Sequence, residues 1–338
     1  LPRLFKLKPL DANGCVRKAD VIHSSIPIEE RHMGGLPKIL VVANKTWECD
    51  PLMGALLHEK VRPKSFERFK FYGHPFIKTD SREPNPEMPV QPRVTFQIKG
   101  AAEVQVWCIQ DLMNPAESSS LTLEKARILP RIFQNVPDAA AVVAFGTAAI
   151  VDGERCNGSV VIGTRAFIVD AFDDVLSDER PDRKLWTSPH MEELLTSPTS
   201  EGWLKAVDTS LRAVAESRFL TAPIHPASPP LMLVGNGFTS LGIVNVVKYE
   251  DYVWADRKAL ETFTAICPKA RIGSIETTHG LIRLQSEKPF FFVSGITDTD
   301  GLFDFEVTPR EYGQNFVAAH NAGVATVALL EALASQLC

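Results

Sequence analysis

Positive charge is not in excess here. The 338 residues carry 36 Lys and Arg against 41 Asp and Glu, a formal net charge of −5. Such a surface is unsuited to a phosphate backbone, so nucleic acid is not expected as a partner. Nor is there a run of about 18 consecutive apolar residues, the length a spanning helix needs, and no membrane partner is expected. The six cysteines form no CxxC pair. Cys108, within VQVWCI, reads as a small core residue. The eight histidines never fall at HxxxH spacing, so neither a metal site nor a cofactor is predicted. The opening LPRLFKLKPLDANG lacks the apolar stretch of a secretory signal, and with the unpaired cysteines this makes a cytoplasmic setting the expectation.

Several catalytic signatures are missing too. GNGFTSLG (235–242) places its third glycine too late for a dinucleotide loop and has no acidic ribose partner at the expected distance, so a turn is the better reading. GTAAIVDG (146–153) has no Walker lysine, which argues against a nucleoside triphosphate. No GxSxG elbow occurs. In DTDGLFDFEVTP the glycine comes too early for an EF-hand and the closing glutamate is absent, so calcium is excluded.

What the chain does contain is alternation of short apolar runs with helical patterns. KILVVANK (38–45), DAAAVVAFG (138–146), LMLVG (231–235) and PFFFV are apolar runs of strand length. GIVNVVKY (242–249) and ARIGS read as strands, VTFQIKGAAEVQVWCI (94–109) as one or two, and NGSVVIGTRAFIV (157–169) as two around a glycine. Helical spacing follows in TWECDPLMGALLHE, from about residue 120, in GWLKAVDTSLRAVAESRF, near 256–266, and from Glu276 onward. A last helix is signalled by Thr308 as N-cap, Pro309 in the first turn and Glu311 three places after the cap. DSREPNPEMPVQP (80–92) reads as a loop. Residues 1–35 show no period and read as an irregular arm. The pattern predicts one α/β domain over 36–338 with a mixed, mainly parallel central sheet flanked by helices.

Parallel sheets collect ligands at the carboxyl ends of their strands. Three acids fall there: Glu48 after KILVVANKTW, Glu276 after ARIGSI, and Asp298 after PFFFVSGIT. Each is also an ordinary helix-start acid when taken alone.

Taken in order, these segments resemble the purine nucleoside phosphorylase and nucleosidase superfamily, most closely the 5′-methylthioadenosine/S-adenosylhomocysteine nucleosidase type. The resemblance covers about residues 36–60, 136–170 and 231–335, and makes 171–230 an inserted segment at the pocket entrance. It implies that Glu48 activates a water and that Gly146, Thr147 and Ala148 line the ribose and nucleophile site. It also implies that Phe238 stacks on the base, that Ile275 and Glu276 hold the ribose, and that Asp298 protonates the purine at N7. Two positions depart from the pattern: Ser294 stands where these enzymes usually carry Arg, and Ile275 replaces Met. No phosphate-clamping glycine segment is evident near 105–120. The implied function is a purine nucleosidase that cleaves the N-glycosidic bond of a purine (deoxy)ribonucleoside or 5′-thio-adenosine by water attack. Its partner is a small-molecule purine nucleoside, and the protein is expected to be a homo-oligomer. The alternatives are a phosphate-dependent phosphorylase, with Arg165 as one candidate phosphate ligand, and a non-catalytic nucleoside-binding or storage relative.

Overall fold

The computed structural model describes residues 35–72, 90–113, 122–151, 156–170, 186–235, 237–246, 252–300 and 312–337. Residues 36–338 make one compact unit. Its centre follows from the continuous apolar runs. In β1 (Lys38–Ala43), Ile39, Val41 and Ala43 join one core cluster, while Leu40 and Val42 join another. β5 (Ala139–Ile150) repeats the division, with Ala141, Val143 and Phe145 on one side and Val142 and Ala144 on the other. A strand buried on both faces has no polar alternation to show.

β1 lies between β5 and β4 (Ala102–Cys108), parallel to both. Beyond β4 come two antiparallel strands, β3 (Val94–Ile98) and β2 (Phe66–Phe71). On its other side β5 pairs in parallel with β11 (Phe290–Thr299). β11 pairs antiparallel with β6 (Val160–Gly163), which is parallel to β8 (Met232–Val234). The chain runs from β6 through Thr164 into β7 (Arg165–Asp170). β7, β9 (Phe238–Val244) and β10 (Arg271–Glu276) are parallel neighbours, and β10 returns to β5 through Ile275 and Ala149. The sheet is thus mixed and mainly parallel, with its strands curling round to meet again at β5.

Helices cover both faces. α1 (Thr46–Leu57), α3 (Pro198–Ala215) and α6 (Tyr312–Leu337) pack on one face, and α2 (Thr122–Asn135) with α5 (His279–Arg283) on the other. α4 (Tyr252–Ile266) covers β7 and β9, where Phe263 meets Phe167 edge-on at 4.9 Å. α6 packs unusually close. A Cβ on Gly295 of β11 would lie 2.0 Å from the Ala318 carbonyl oxygen, and one on Gly323 of α6 would lie 3.1 Å from Leu52 Cα. Only glycine permits the first approach, and a side chain at the second would have to push α1 back by a few tenths of an ångström. α6 is long and apolar enough to cross a membrane, but 67% of its apolar window is buried within the fold.

Four readings change. β2 was unforeseen: it is an edge strand, FERFKF, in which only Phe66 is buried. β9 spans Phe238–Val244 and so starts four residues before the expected GIVNVVKY run, while the first glycines of GNGFTSLG form the expected turn after β8, where the Phe238 amide donates to the Gly235 carbonyl at 3.1 Å. Glu276 closes β10, and the helix begins only at His279. The described part of 171–230 is not at the pocket: α3 places Leu204, Val207, Leu211 and Ala215 in the main core. The cap at Thr308–Glu311, the arm at 1–34 and most of the 80–92 loop lie outside the described residues.

Candidate active site

The carboxyl ends of β1, β10 and β11, with the middle of β5, surround a cavity of about 160 Å³. Of the residues singled out from sequence, Glu48, Gly146, Thr147, Ala148, Ile275, Glu276 and Asp298 all line it. Burial strips water from the three acids, which are 5%, 9% and 2% exposed for Glu48, Glu276 and Asp298. Each is therefore held by protein donors.

Glu48 lies in the first turn of α1. Its Oε2 accepts from the Lys45 amide at 2.9 Å, capping the helix start, while Oε1 accepts from the Thr147 amide and hydroxyl, both at 3.0 Å. This binds the end of β1 to the middle of β5 through one carboxylate. Both readings of Glu48 from sequence therefore coexist, since it caps a helix and faces a cavity. Glu276 does likewise at the next corner. Its Oε2 accepts from the amides of Thr278 and His279, and Oε1 from the Ser240 hydroxyl at 3.1 Å.

Asp298 reaches the cavity through an irregularity. The β11–β5 register slips between Ile296 and Asp298, so Thr297 is an extra residue on β11. Such a bulge re-aims the side chains that follow it. The Thr297 hydroxyl donates to Asp298 Oδ1, and the Thr297 carbonyl accepts from Gln314 Nε2 at 2.7 Å, which pins the bulge to α6.

Two residues lie elsewhere. Phe238 is at the start of β9, whereas the cavity touches that strand at Ile243 near its end. Its ring sits under the Arg271 guanidinium at 4.4 Å and borders a separate, larger cavity of about 490 Å³ beside α4. The aromatic rings that do line the site are Trp47, Phe145 and Tyr252. Ser294 is fully buried below the site, donating to Ser274 Oγ at 3.0 Å. Arg165 pairs with Glu201 at 2.8 Å and does not line the cavity.

Other groups in the site gave no signal in the sequence. His279 lines the cavity and is 2% exposed. Asp256 of α4 also lines it, and burial together with Asp300 and Asp298 pushes its carboxyl well above the ordinary range. Asn44 presents a buried Oδ1 with no donor among the described residues. Behind the wall, the fully buried Lys125 donates to the Thr277 carbonyl at 3.1 Å and to the Thr277 and Thr278 hydroxyls at 2.9 and 3.1 Å. Burial, reinforced by Lys45, pulls its amine down to about 7, against the opposing pull of Glu276 and Glu48. These residues are polar members of helices or corners, and only the fold shows that they are enclosed.

The chain shares its fold with solved nucleosidase structures. A 5′-methylthioadenosine/S-adenosylhomocysteine nucleosidase from Helicobacter pylori, solved with a pyrrolidinol inhibitor, superimposes with a TM-score of 0.50 at 14% identity, covering 88% of this chain and 99% of that one. The Neisseria meningitidis nucleosidase with methylthio-immucillin-A gives 0.49 at 13%, covering 88% and 99%. Futalosine hydrolase from Helicobacter pylori gives 0.49 at 12%, covering 88% and 98%. No protein-family model matches the chain, and no curated protein matches it in sequence.

Proposed function

We propose that the protein is a purine nucleosidase that hydrolyses the N-glycosidic bond of a purine (deoxy)ribonucleoside or a 5′-thio-adenosine. The observation that carries this reading is the meeting of Glu48, Glu276 and Asp298, from three separate strand ends, on one cavity. Cleaving the bond builds positive charge on the sugar and negative charge on the departing base. An acid on the base side and a carboxylate holding water on the opposite side of the sugar together supply the arrangement of an inverting glycosidase. Asp298 takes the acid role, delivering a proton to the purine N7. Glu48 holds the attacking water, with Thr147 fixing the carboxylate's direction. Glu276 receives the ribose hydroxyls, and Tyr252 and Trp47 offer faces for the base.

The test is base release, followed by chromatography, from methylthioadenosine, S-adenosylhomocysteine, adenosine, inosine and guanosine, with and without phosphate. The first two are the substrates named for the Helicobacter enzyme of the same fold. Release without phosphate is expected. Release only with phosphate makes the protein a phosphorylase, and purine binding without release makes it a non-catalytic relative. On a confirmed substrate, Asp298→Asn should lower kcat by about 10²–10⁴-fold while the fold persists. An unchanged kcat removes Asp298 from the acid role.

A further inference from the structure

His279 opens α5, and its Nδ1 stands 3.1 Å from Ser240 Oγ. The same hydroxyl lies 3.1 Å from Glu276 Oε1. A serine has one proton and an ionised carboxylate can only accept, so that proton goes to Glu276. The Ser240 oxygen is then left to accept from Nδ1–H. This fixes the neutral imidazole in the tautomer that leaves Nε2 bare. The hydroxyls behind it point the same way: Ser294 donates to Ser274 at 3.0 Å and Ser274 to Ser240 at 3.5 Å. The position that departs from the family pattern is therefore the far end of a buried hydroxyl ladder ending on Glu276.

The bare Nε2 faces the reactive side of the cavity. A Cβ placed on Gly146 would lie 3.2 Å from Nε2 and 3.3 Å from Glu48 Oε1. Both side chains therefore close on the bare face of Gly146, and a water in the cavity in front of that glycine is flanked by an imidazole lone pair and a carboxylate.

We infer that His279 is a further catalytic residue, the base that takes the proton of the attacking water while Glu48 holds that water in place. This rests on the hydrolytic reading above. The water oxygen forms a bond to the anomeric carbon, and the glycosidic bond breaks with its electron pair going to the purine. Asp298 gives its proton to N7, and the water gives its proton to His279 Nε2. Nucleoside and water become free base and sugar. Exchange with solvent then returns both side chains to their starting states.

The test uses the full chain. His279→Asn keeps an amide donor towards Ser240 but has nothing at the Nε2 position. It is expected to lower kcat by about 10²–10⁴-fold with little change in KM, and added imidazole should restore part of the rate. If the wild type releases base and the Asn variant keeps its kcat, the inference is overturned and the nucleosidase reading stands. A loss that imidazole does not restore also overturns it, because a purely structural role predicts that result. If the wild type binds a purine nucleoside but never releases base, the hydrolytic reading fails and this one with it. Should the variant not fold, ¹⁵N spectra of the wild-type histidines decide: Nδ1–H at His279 is expected, and Nε2–H rejects the proposal.

Discussion

At the scale of single residues, the site depends on Gly146 as much as on its acids. Its missing side chain is what lets His279 Nε2 and Glu48 Oε1 approach the same space. Both tips are tethered, the first through Ser240 and the second through Thr147 and the Lys45 amide, so neither can retreat freely. Gly146→Ala should therefore push the two apart by a few tenths of an ångström and exclude whatever sits between them. Turnover is expected to fall by roughly 10²-fold, the scale of a small misplacement of reacting groups. Overpacking by one methyl should destabilise the fold by about 1–3 kcal/mol. Steady-state kinetics beside a denaturant melt separate the two effects. A variant as unstable as predicted yet fully active would show that the gap over Gly146 has no part in the chemistry.

At the scale of elements, β11 and α6 set where Asp298 points. The Gly295 position meets the Ala318 carbonyl, which belongs to a helix backbone and cannot swing aside. Gly295→Ala should force the helix off the strand just before the bulge at Thr297, and it is expected to destabilise by more than the same change at Gly146. Loss of soluble, cooperatively melting protein is the outcome to measure, and a wild-type melt would contradict the packing argument. The importance of Gly295 was not legible in sequence, because PFFFVSGIT shows no mark of what lies over it. The strands themselves were legible for the opposite reason. β1 and β5 are buried on both faces, and that alone produces uninterrupted apolar runs. The acids could be read as well, since a parallel sheet brings successive strand ends together. Phe238 shows where this stops: the turn after β8 was legible, but not that the next strand begins at Phe238 itself, which sets the ring at the opposite end of β9 from the cavity. His279, Asp256 and Lys125 were hidden because each is an ordinary polar residue until the sheet curls round and encloses it.

At the scale of the whole molecule, enclosing an amine and a carboxyl makes stability depend on pH in two opposite senses. Lys125 titrates at about 7 in the fold against an ordinary 10.5. Below pH 7 both folded and unfolded chains carry its proton, and the full penalty of burying the ammonium is present. Between about 7 and 10.5 the unfolded chain still holds a proton that the native one has shed, so stability should rise with pH across that window. Asp256 acts the other way. Its native carboxyl keeps a proton above the ordinary 3.8, where the unfolded chain loses it, so stability should fall as pH climbs from there towards its raised value. Each group contributes at most about 1.4 kcal/mol per pH unit. Lys125→Met should remove the alkaline rise relative to wild type, and Asp256→Asn, nearly the shape of the neutral acid, should remove the decline and gain on wild type as pH increases. Urea midpoints taken from pH 4 to 10 on the three proteins read both slopes, because the difference between each variant and wild type cancels every other titrating group. If the Met variant keeps the wild-type rise, Lys125 is not the amine that the fold holds uncharged.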